Sequence, residues 1–239
     1  MPGRVCSGCS EVQPRKNLFS FAARNWMSEN RYPCDNIVLI EQEPRHHLVI
    51  VNEFVRAFAV EIAPHDRTLC HHHAHEYLMY VAGDAQIASA PRDGEPATHT
   101  YHDGDCELSP PGLIHVVKNL RDTEFRNLLV EFLPEFGDLR RGPVPTTTSV
   151  HVTISPRFED KLSSVFLLQM DTGLQVEISG PAIVATPYNN PLEFAASQSS
   201  PRTLERFTDL VWIAPYIRAR LRNPAASPAR AVLVALGQR

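Results

Sequence analysis

The 239-residue sequence contains no run of about 18 apolar residues, so it predicts no membrane-spanning helix. Its start lacks the basic-then-apolar pattern of a signal peptide, and its five cysteines do not have the spacing of a disulfide framework. The pair Cys6 and Cys9 stands alone, without the second pair that a zinc site usually needs. These absences favour a cytoplasmic protein in which Cys70 and Cys106 are buried apolar thiols.

A surplus of charge of one sign is also lacking. The formal net charge is −4, and the arginines are scattered apart from short pairs such as Arg140-Arg141. We therefore expect no binding to nucleic acid and none to a membrane. A hydrophobic content of 43% with 21% charged residues is typical of a globular chain that can build a core.

Amphipathic stretches of helical length are nearly absent, and short β-rich runs take their place. Residues 58–62 alternate between apolar and polar side chains, as in a half-buried strand. Turn signals such as Gly83-Asp84 and Asp103-Gly104 separate the runs. The pattern predicts an all-β protein of antiparallel barrel or sandwich type.

The composition changes along the chain predict three parts. Residues 1–45 are expected to form an N-terminal arm and the first strands, and residues 46–140 a first barrel. A connector rich in proline and threonine follows, and residues 146–239 are expected to form a second barrel. The arm and the barrel edges favour a homodimer.

The second part appears in the sequence as a repeat of the first. Residues 105–132 align with residues 209–236 without a gap, and the overlay matches Asn119 with Asn223. An earlier stretch can be matched by laying Gly83 on Gly180. A long ungapped match that keeps the turn residues in place predicts an internal repeat.

The densest group of potential metal ligands is the run from His71 to Glu76. Residues two positions apart on a strand project to the same face, so His71 and His73 can point into a barrel while His72 points away. His115, which follows a tight Pro-Pro-Gly turn, is the candidate third ligand. The pair His46-His47 is expected to face solvent at the start of a strand.

Residues 104–119 match the pattern G-x5-P-x-G-x2-H-x3-N position for position, and this pattern is the second motif of the cupin superfamily. The first cupin motif, G-x5-H-x-H-x3,4-E-x6-G, is matched in part when His65 takes the place of its glycine. The sequence therefore resembles a cupin over residues 48–133. In this register the family pattern implies His71, His73, His115 and Glu76 as metal ligands; registers that use His72, or a set completed by His75, stay open.

The resemblance implies jelly-roll barrels, that is, double-stranded β-helices, two in tandem as in a bicupin. Under the overlay the second barrel has no polar ligand and is expected to bind no metal. The positions matched to His71, His73, Glu76 and His115 are Leu168, Met170, Gly173 and Ala219.

The resemblance also implies one divalent ion, with Fe(II) favoured over Mn, Ni or Zn. It implies a metal-dependent enzyme acting on a small molecule, most often a dioxygenase. The alternatives are a non-redox isomerase, lyase or decarboxylase on a sugar or small acid, and a non-catalytic small-molecule-binding barrel. Weaker candidates to line the cavity are Tyr77, Tyr80, His102 and Arg126.

Overall fold

The computed structural model describes Cys34, residues 36–143, Pro145 and residues 151–188, 190–197 and 199–238. The pair Cys6 and Cys9, the arm as far as residue 33 and most of the connector lie outside these residues. Within the described ranges, no helix is long and apolar enough to cross a membrane.

Strands and two short 3-10 helices account for the regular structure of these ranges, so the all-β prediction is confirmed. The first half contains β1 (Val38–Leu39), β2 (His46–Val51), β3 (Val55–Ile62), β4 (His71–His73), β5 (Tyr77–Ala82), β6 (Ala85–Pro91), β7 (Ala97–Tyr101), β8 (Cys106–Ser109), β9 (Leu113–Asn119) and β10 (Phe125–Phe132), with 3-10 helices at Ile40–Gln42 and Pro134–Asp138. The second half contains β11 (Val152–Glu159), β12 (Ser163–Met170), β13 (Gln175–Ser179), β14 (Ala182–Ala185), β15 (Leu192–Ala196), β16 (Arg202–Leu204), β17 (Val211–Ile213), β18 (Arg218–Arg222) and β19 (Ala229–Leu236).

Each half is a pair of sheets, and the strand order is the same in both halves. The first half has the orders β2-β3-β10-β5-β8 and β1-β4-β9-β6-β7, and the second has β11-β12-β19-β14-β17 and β13-β18-β15-β16. Apart from β1, every strand of the first half therefore has a counterpart in the second. Apart from the parallel pair β1-β4, all neighbouring strands are antiparallel. Two sheets with these crossing connections form a jelly roll, and the chain contains two in tandem.

The last strand and the turn before it repeat as the overlay predicts. β19 begins and ends at the positions matched to β10. The Asn119 amide donates to the Thr123 carbonyl at 2.7 Å and accepts from the Arg121 backbone N–H at 3.0 Å. Asn223 makes the same two bonds at 2.8 and 2.9 Å, so each asparagine holds the turn before its final strand.

Strand pairing corrects the overlay of Gly83 on Gly180. Tyr77 lies opposite Glu131 in the first barrel, and Ala182 lies opposite Ala235 in the second. Tyr77 therefore corresponds to Ala182, and the glycine match was wrong. Glycine recurs at turns throughout a β protein, whereas backbone pairing sets the register between strands.

The two barrels pack face to face through the sheets that contain β10 and β19. Leu128 and Val130 from one barrel share a buried apolar cluster with Val232 and Val234 from the other. Each barrel also has its own internal apolar core. Both faces of these sheets are buried, which explains why β19 is apolar on both faces rather than alternating.

A polar network crosses the edge of this interface. The Tyr80 hydroxyl is hydrogen-bonded to that of Tyr188, which donates to the Asp103 carboxylate at 3.0 Å. Arg230 donates to the same carboxylate at 3.0 Å and lies 3.6 Å from the Tyr188 ring centroid. Asp103 is thus the common acceptor between the barrels.

The structure also corrects the interpretation of Cys70 as a free thiol. Cys70 is bonded to Cys34, with the two Cα atoms 5.3 Å apart, and Cys106 is a free, half-buried thiol. Disulfides are rare in cytosolic proteins. The cytoplasmic location stays a prediction, and this bond weighs against it.

We expect Asp103→Ala to lower the free energy of unfolding by about 1–2 kcal/mol, because it removes the acceptor shared by Tyr188, Arg230 and the Gly83 backbone N–H. Asp93→Ala, in an exposed turn, serves as the control and should change stability much less. Urea unfolding would measure both, and equal effects would contradict a role for the network.

One turn of the second barrel has the same left-handed backbone conformation as its counterpart in the first barrel, but it lacks the glycine. Gly112 has φ +94°, and Tyr216, at the matching position, has φ 65° with a side chain that is 97% exposed. A left-handed conformation costs a non-glycine residue about 1–2 kcal/mol, and glycine loses roughly 0.5–1 kcal/mol more chain entropy on folding.

Tyr216→Gly should therefore stabilise the protein by about 0.5–1 kcal/mol. The matched control Tyr216→Ala removes the same exposed ring and keeps the strain, so it should leave the stability unchanged. Thermal unfolding of the two variants would test this, and a loss of stability in the glycine variant would refute it.

Candidate metal centre

Four buried imidazoles converge at one end of the first barrel. His71 lies opposite His115 in the pairing of β4 with β9, and the two ring centroids are 4.7 Å apart. The ring of His73 is 4.9 Å from that of His71 and 5.2 Å from that of His115. His46, at the start of β2, completes the group at 4.7 Å from His71.

The outer nitrogens of three of these rings have hydrogen-bond partners. His71 Nδ1 donates to the Leu69 carbonyl at 2.9 Å, and His46 Nδ1 donates to the Glu43 carboxylate at 2.8 Å. His115 Nδ1 lies 3.0 Å from the Ser89 hydroxyl. A neutral imidazole whose Nδ1 carries the proton presents a lone pair at Nε2. His46 and His71 therefore present free Nε2 lone pairs.

The inward nitrogens fit a divalent ion. His71 Nε2 is buried and has no hydrogen-bond partner, and His73 Nε2 is within hydrogen-bond distance of His115 Nε2, at 3.2 Å. Two nitrogens bound to one ion at about 2.1 Å and at a right angle to each other would be about 3.0 Å apart. One ring nitrogen from each of His46, His71 and His73 lies within 4.8 Å of the others. The donor set could hold a metal, and imidazole nitrogen suits Fe, Ni, Cu and Zn.

Burial keeps His71, His73 and His115 neutral. It lowers the pKa of His71 to about 4, with a smaller contribution from the charge of His46. Burial also lowers the pKa values of His73 and His115, to which the neighbouring imidazoles add. Burial alone would raise the pKa of Glu43, but its hydrogen bond and charge interaction with His46, together with the backbone amides of Leu69 and Arg45, lower it to about 2.

A cavity of about 250 Å³ opens beside the cluster and is lined by His46, His73 and His115. The ring of Tyr77 stacks on His73 with centroids 4.3 Å apart. Burial raises the pKa of Tyr77 to about 12. The open side of the histidine cluster thus faces a space that a small molecule can enter.

The structure brings His71, His73 and His115 together, but not Glu76. Glu76 is half-buried in the turn before β5, and it belongs neither to the group of close donor atoms nor to the cavity wall. His72 and His75 are likewise absent from both. A fourth donor is present instead in His46.

Of the weaker candidates, only Tyr77 lines the cavity. His102 is exposed at the turn before β8. Arg126 donates to Glu124 at 2.6 Å and does not line the cavity. Tyr80 points to the interface between the barrels, as described above.

The expectation that His46 faces solvent was wrong. His46 is 7% exposed, whereas the side chain of its neighbour His47 is 48% exposed. β2 carries an irregularity between Leu48 and Ile50 that breaks its alternation, so the exposed apolar residues of the strand gave no hint that its first residue is buried. The spacing Glu43-x-x-His46 was the available signal, because a carboxylate often orients a ligand histidine.

Strand pairing also corrects the residues that stand in place of the ligands in the second barrel. His71 pairs with His115, and Ile178 pairs with Ala219, so Ile178 rather than Leu168 corresponds to His71. By the same pairing, Gly180 rather than Met170 corresponds to His73. Ile154 corresponds to His46. None of these described positions offers a metal ligand, and the surroundings are apolar core.

No protein-family model matches the chain, and no curated protein matches it by sequence. Similar solved structures include AerE from Microcystis aeruginosa, which is 11% identical over 81% of this chain and 98% of that chain, with a TM-score of 0.57. A vicilin from Solanum lycopersicum (tomato) is 14% identical over 78% and 76% of the two chains, with a TM-score of 0.58. Salicylate 1,2-dioxygenase from Pseudaminobacter salicylatoxidans is 12% identical over 77% and 71%, with a TM-score of 0.51.

Identities this low show the fold alone. The neighbours are cupin proteins, and the two halves of this chain share the same jelly-roll strand order. The chain therefore has the cupin fold twice in tandem.

Proposed function

We propose that the first barrel holds one divalent metal ion through His46, His71, His73 and His115, and that the chain is a metal-dependent dioxygenase of a small molecule. The observation that carries the proposal is the cluster of buried imidazoles in which His71 Nε2 has no partner among the described residues. A buried polar atom of this kind is rarely left unpaired without a ligand or a function.

The position of the cluster favours a catalytic over a purely structural ion. Four protein ligands close a tetrahedral zinc site, but a six-coordinate ion held by the same four would keep two positions open to substrate. Three of the four histidines line the cavity, so an ion among them would be accessible from it. Fe(II) bound there would supply the redox chemistry that the use of O2 requires.

The residues around the cluster would orient the ligands and exclude water. Glu43 holds the Nδ1 proton of His46 and makes that imidazole a stronger donor. Ser89 orients His115 through its own Nδ1 contact. Apolar side chains such as Leu113 and Phe125 line the cavity, which limits the access of water to the reacting groups.

The likeness to salicylate 1,2-dioxygenase supports this choice of reaction by fold analogy. The homodimer expected from the arm and the barrel edges stays a prediction.

We expect His46→Ala to lower metal content after purification, because it removes a donor nitrogen from the cluster. Glu43→Gln keeps the shape of the side chain and should weaken metal binding by about 10-fold through His46. His47→Ala, at the exposed neighbour, is the matched control and should keep wild-type metal content. Elemental analysis of untagged protein measures all three, and equal metal in His46→Ala and His47→Ala would exclude His46 as a ligand.

His115→Ala should also remove most of the metal while leaving the fold intact, since the barrel core is apolar. Ala219→Ser, at the matching position of the second barrel, should not change metal content. If both substitutions reduced the metal content equally, the prediction that the second barrel binds no metal would be wrong.

The dioxygenase assignment predicts that turnover consumes O2 and stops under anaerobic conditions. An oxygen electrode with the iron-loaded protein and a panel of small aromatic substrates would measure this. Full activity without O2 would instead indicate a non-redox isomerase, lyase or decarboxylase.

A further inference from the structure

The disulfide between Cys34 and Cys70 lies directly beside the histidine cluster. Cys70 immediately precedes β4, and that strand consists of three residues, of which His71 and His73 belong to the cluster. Two of the four buried imidazoles are therefore presented by a segment that starts one residue after the bond. Any movement of the Cys70 backbone is passed directly to the first of these histidines.

The strand β4 is held unequally on its two sides. On one side it pairs with β9, and the Gly112 backbone N–H donates to the His73 carbonyl at 2.8 Å. On the other side β1 contributes only two paired residues, and the Val38 backbone N–H donates to the Cys70 carbonyl at 3.0 Å. The Leu39 side chain of β1 is 47% exposed, so little apolar burial holds this short strand in place. The disulfide is thus the strongest link on the β1 side.

The residue before Cys70 connects the disulfide to two histidines of the cluster. The Leu69 carbonyl accepts the Nδ1 proton of His71, and the Leu69 backbone N–H donates to Glu43 Oε1 at 3.1 Å. The other oxygen of Glu43 accepts the Nδ1 proton of His46. Hydrogen bonds of this kind fix the tautomer and the orientation of histidines that bind a metal. A displacement of Leu69 would therefore disturb both His71 and His46.

The bond is open to attack from one side. Cys34 is half-buried, whereas Cys70 is only 6% exposed. A thiolate of a dithiol reductant would attack the Cys34 sulfur to form a mixed disulfide, and the Cys70 thiolate would leave and take up a proton. The second thiol of the reductant would then release Cys34 as a thiol. The protein gains two electrons and two protons, and the dithiol is oxidised to its disulfide.

We propose that the disulfide between Cys34 and Cys70 is a reversible redox site that regulates the metal centre, and that its reduction by a dithiol loosens β4 and weakens metal binding. This inference rests on the proposed function in taking the histidine cluster as a metal site. The pairing of β4 with β9 does not depend on the bond, and Ile40, which is 1% exposed, anchors the chain after β1, so the barrel stays folded. Where cytosolic proteins contain disulfides, these are mostly transient or redox-sensing, which fits the cytoplasmic location predicted from the sequence.

The test measures the Co(II) affinity of the full chain in three forms: oxidised wild type, wild type reduced with dithiothreitol and freed of reductant by anaerobic gel filtration, and Cys34→Ser/Cys70→Ser. The visible spectrum of Co(II) distinguishes imidazole from thiolate ligands, so binding to the freed cysteines would be recognised. We expect the second and third forms to bind Co(II) about 10-fold more weakly through imidazole, with a native circular dichroism spectrum. Reoxidation should restore the affinity of the wild type, and dithiothreitol treatment should not change that of the double variant.

Cys106→Ser is the matched control, because this free thiol packs against the cluster between the two barrels. It should bind Co(II) as oxidised wild type does and should lose affinity on reduction to the same extent. A disulfide that only stabilises the fold would give a different result. Reduction would then lower the melting temperature and leave the Co(II) affinity of the folded protein unchanged.

Hydrogen exchange of metal-free protein separates this inference from the proposed function. Reduction should speed the exchange of the amides of residues 69–73 by about 10-fold and leave those of β12 in the second barrel unchanged. Oxidised protein that binds no Co(II) would refute the proposed metal site, and the exchange rates would still decide whether the bond holds β4. An unchanged Co(II) affinity on reduction, unchanged exchange in residues 69–73, or a bond that resists excess dithiothreitol in the folded protein would overturn the inference and leave the metal site standing.

Discussion

Hydrogen bonds to the outer nitrogens of buried histidines are the interactions on which this site depends. Burial and mutual repulsion lower the pKa values of His71, His73 and His115, so these three imidazoles are neutral. A neutral imidazole has one N–H donor and one lone pair. Glu43 and the Leu69 carbonyl take the donors of His46 and His71, so their lone pairs converge inward. Lone pairs that converge without donors repel each other, and a cation removes that repulsion.

Comparison of matched residues in the two barrels shows which residues serve the fold and which serve the site. Asn223 keeps the two hydrogen bonds that Asn119 makes, so the asparagine serves the turn in both barrels. In contrast, isoleucine, glycine or alanine stands at every position that corresponds to a histidine of the cluster, and the second barrel still has a packed core. The histidines are therefore not needed for folding. Burying polar rings is energetically unfavourable, so their presence in the first barrel indicates a role other than folding.

The sequence was most informative where the interaction is local. The motif around His115 and the turn held by Asn119 could be predicted because their spacing is set by neighbouring residues. The burial of His46 could not be predicted. It depends on the pairing of β2 with β3, which is irregular between Leu48 and Ile50. The bond between Cys34 and Cys70 depends on a parallel pairing of β1 with β4, which no local pattern indicates. His65, in contrast, has φ 60°, a conformation that favours glycine, in agreement with the match that laid it on the glycine of the first motif.

The sheet that contains β10 lies between the second barrel and the cavity of the first barrel. Along β10, Asn127 and Leu129 line the cavity, while Leu128 and Val130 pack against the second barrel. The same strand therefore forms the cavity wall on one face and the interface on the other. A well-packed core transmits small displacements rather than absorbing them. The second barrel thus supports the strand that forms one wall of the cavity, which explains why a barrel without metal ligands keeps its apolar face.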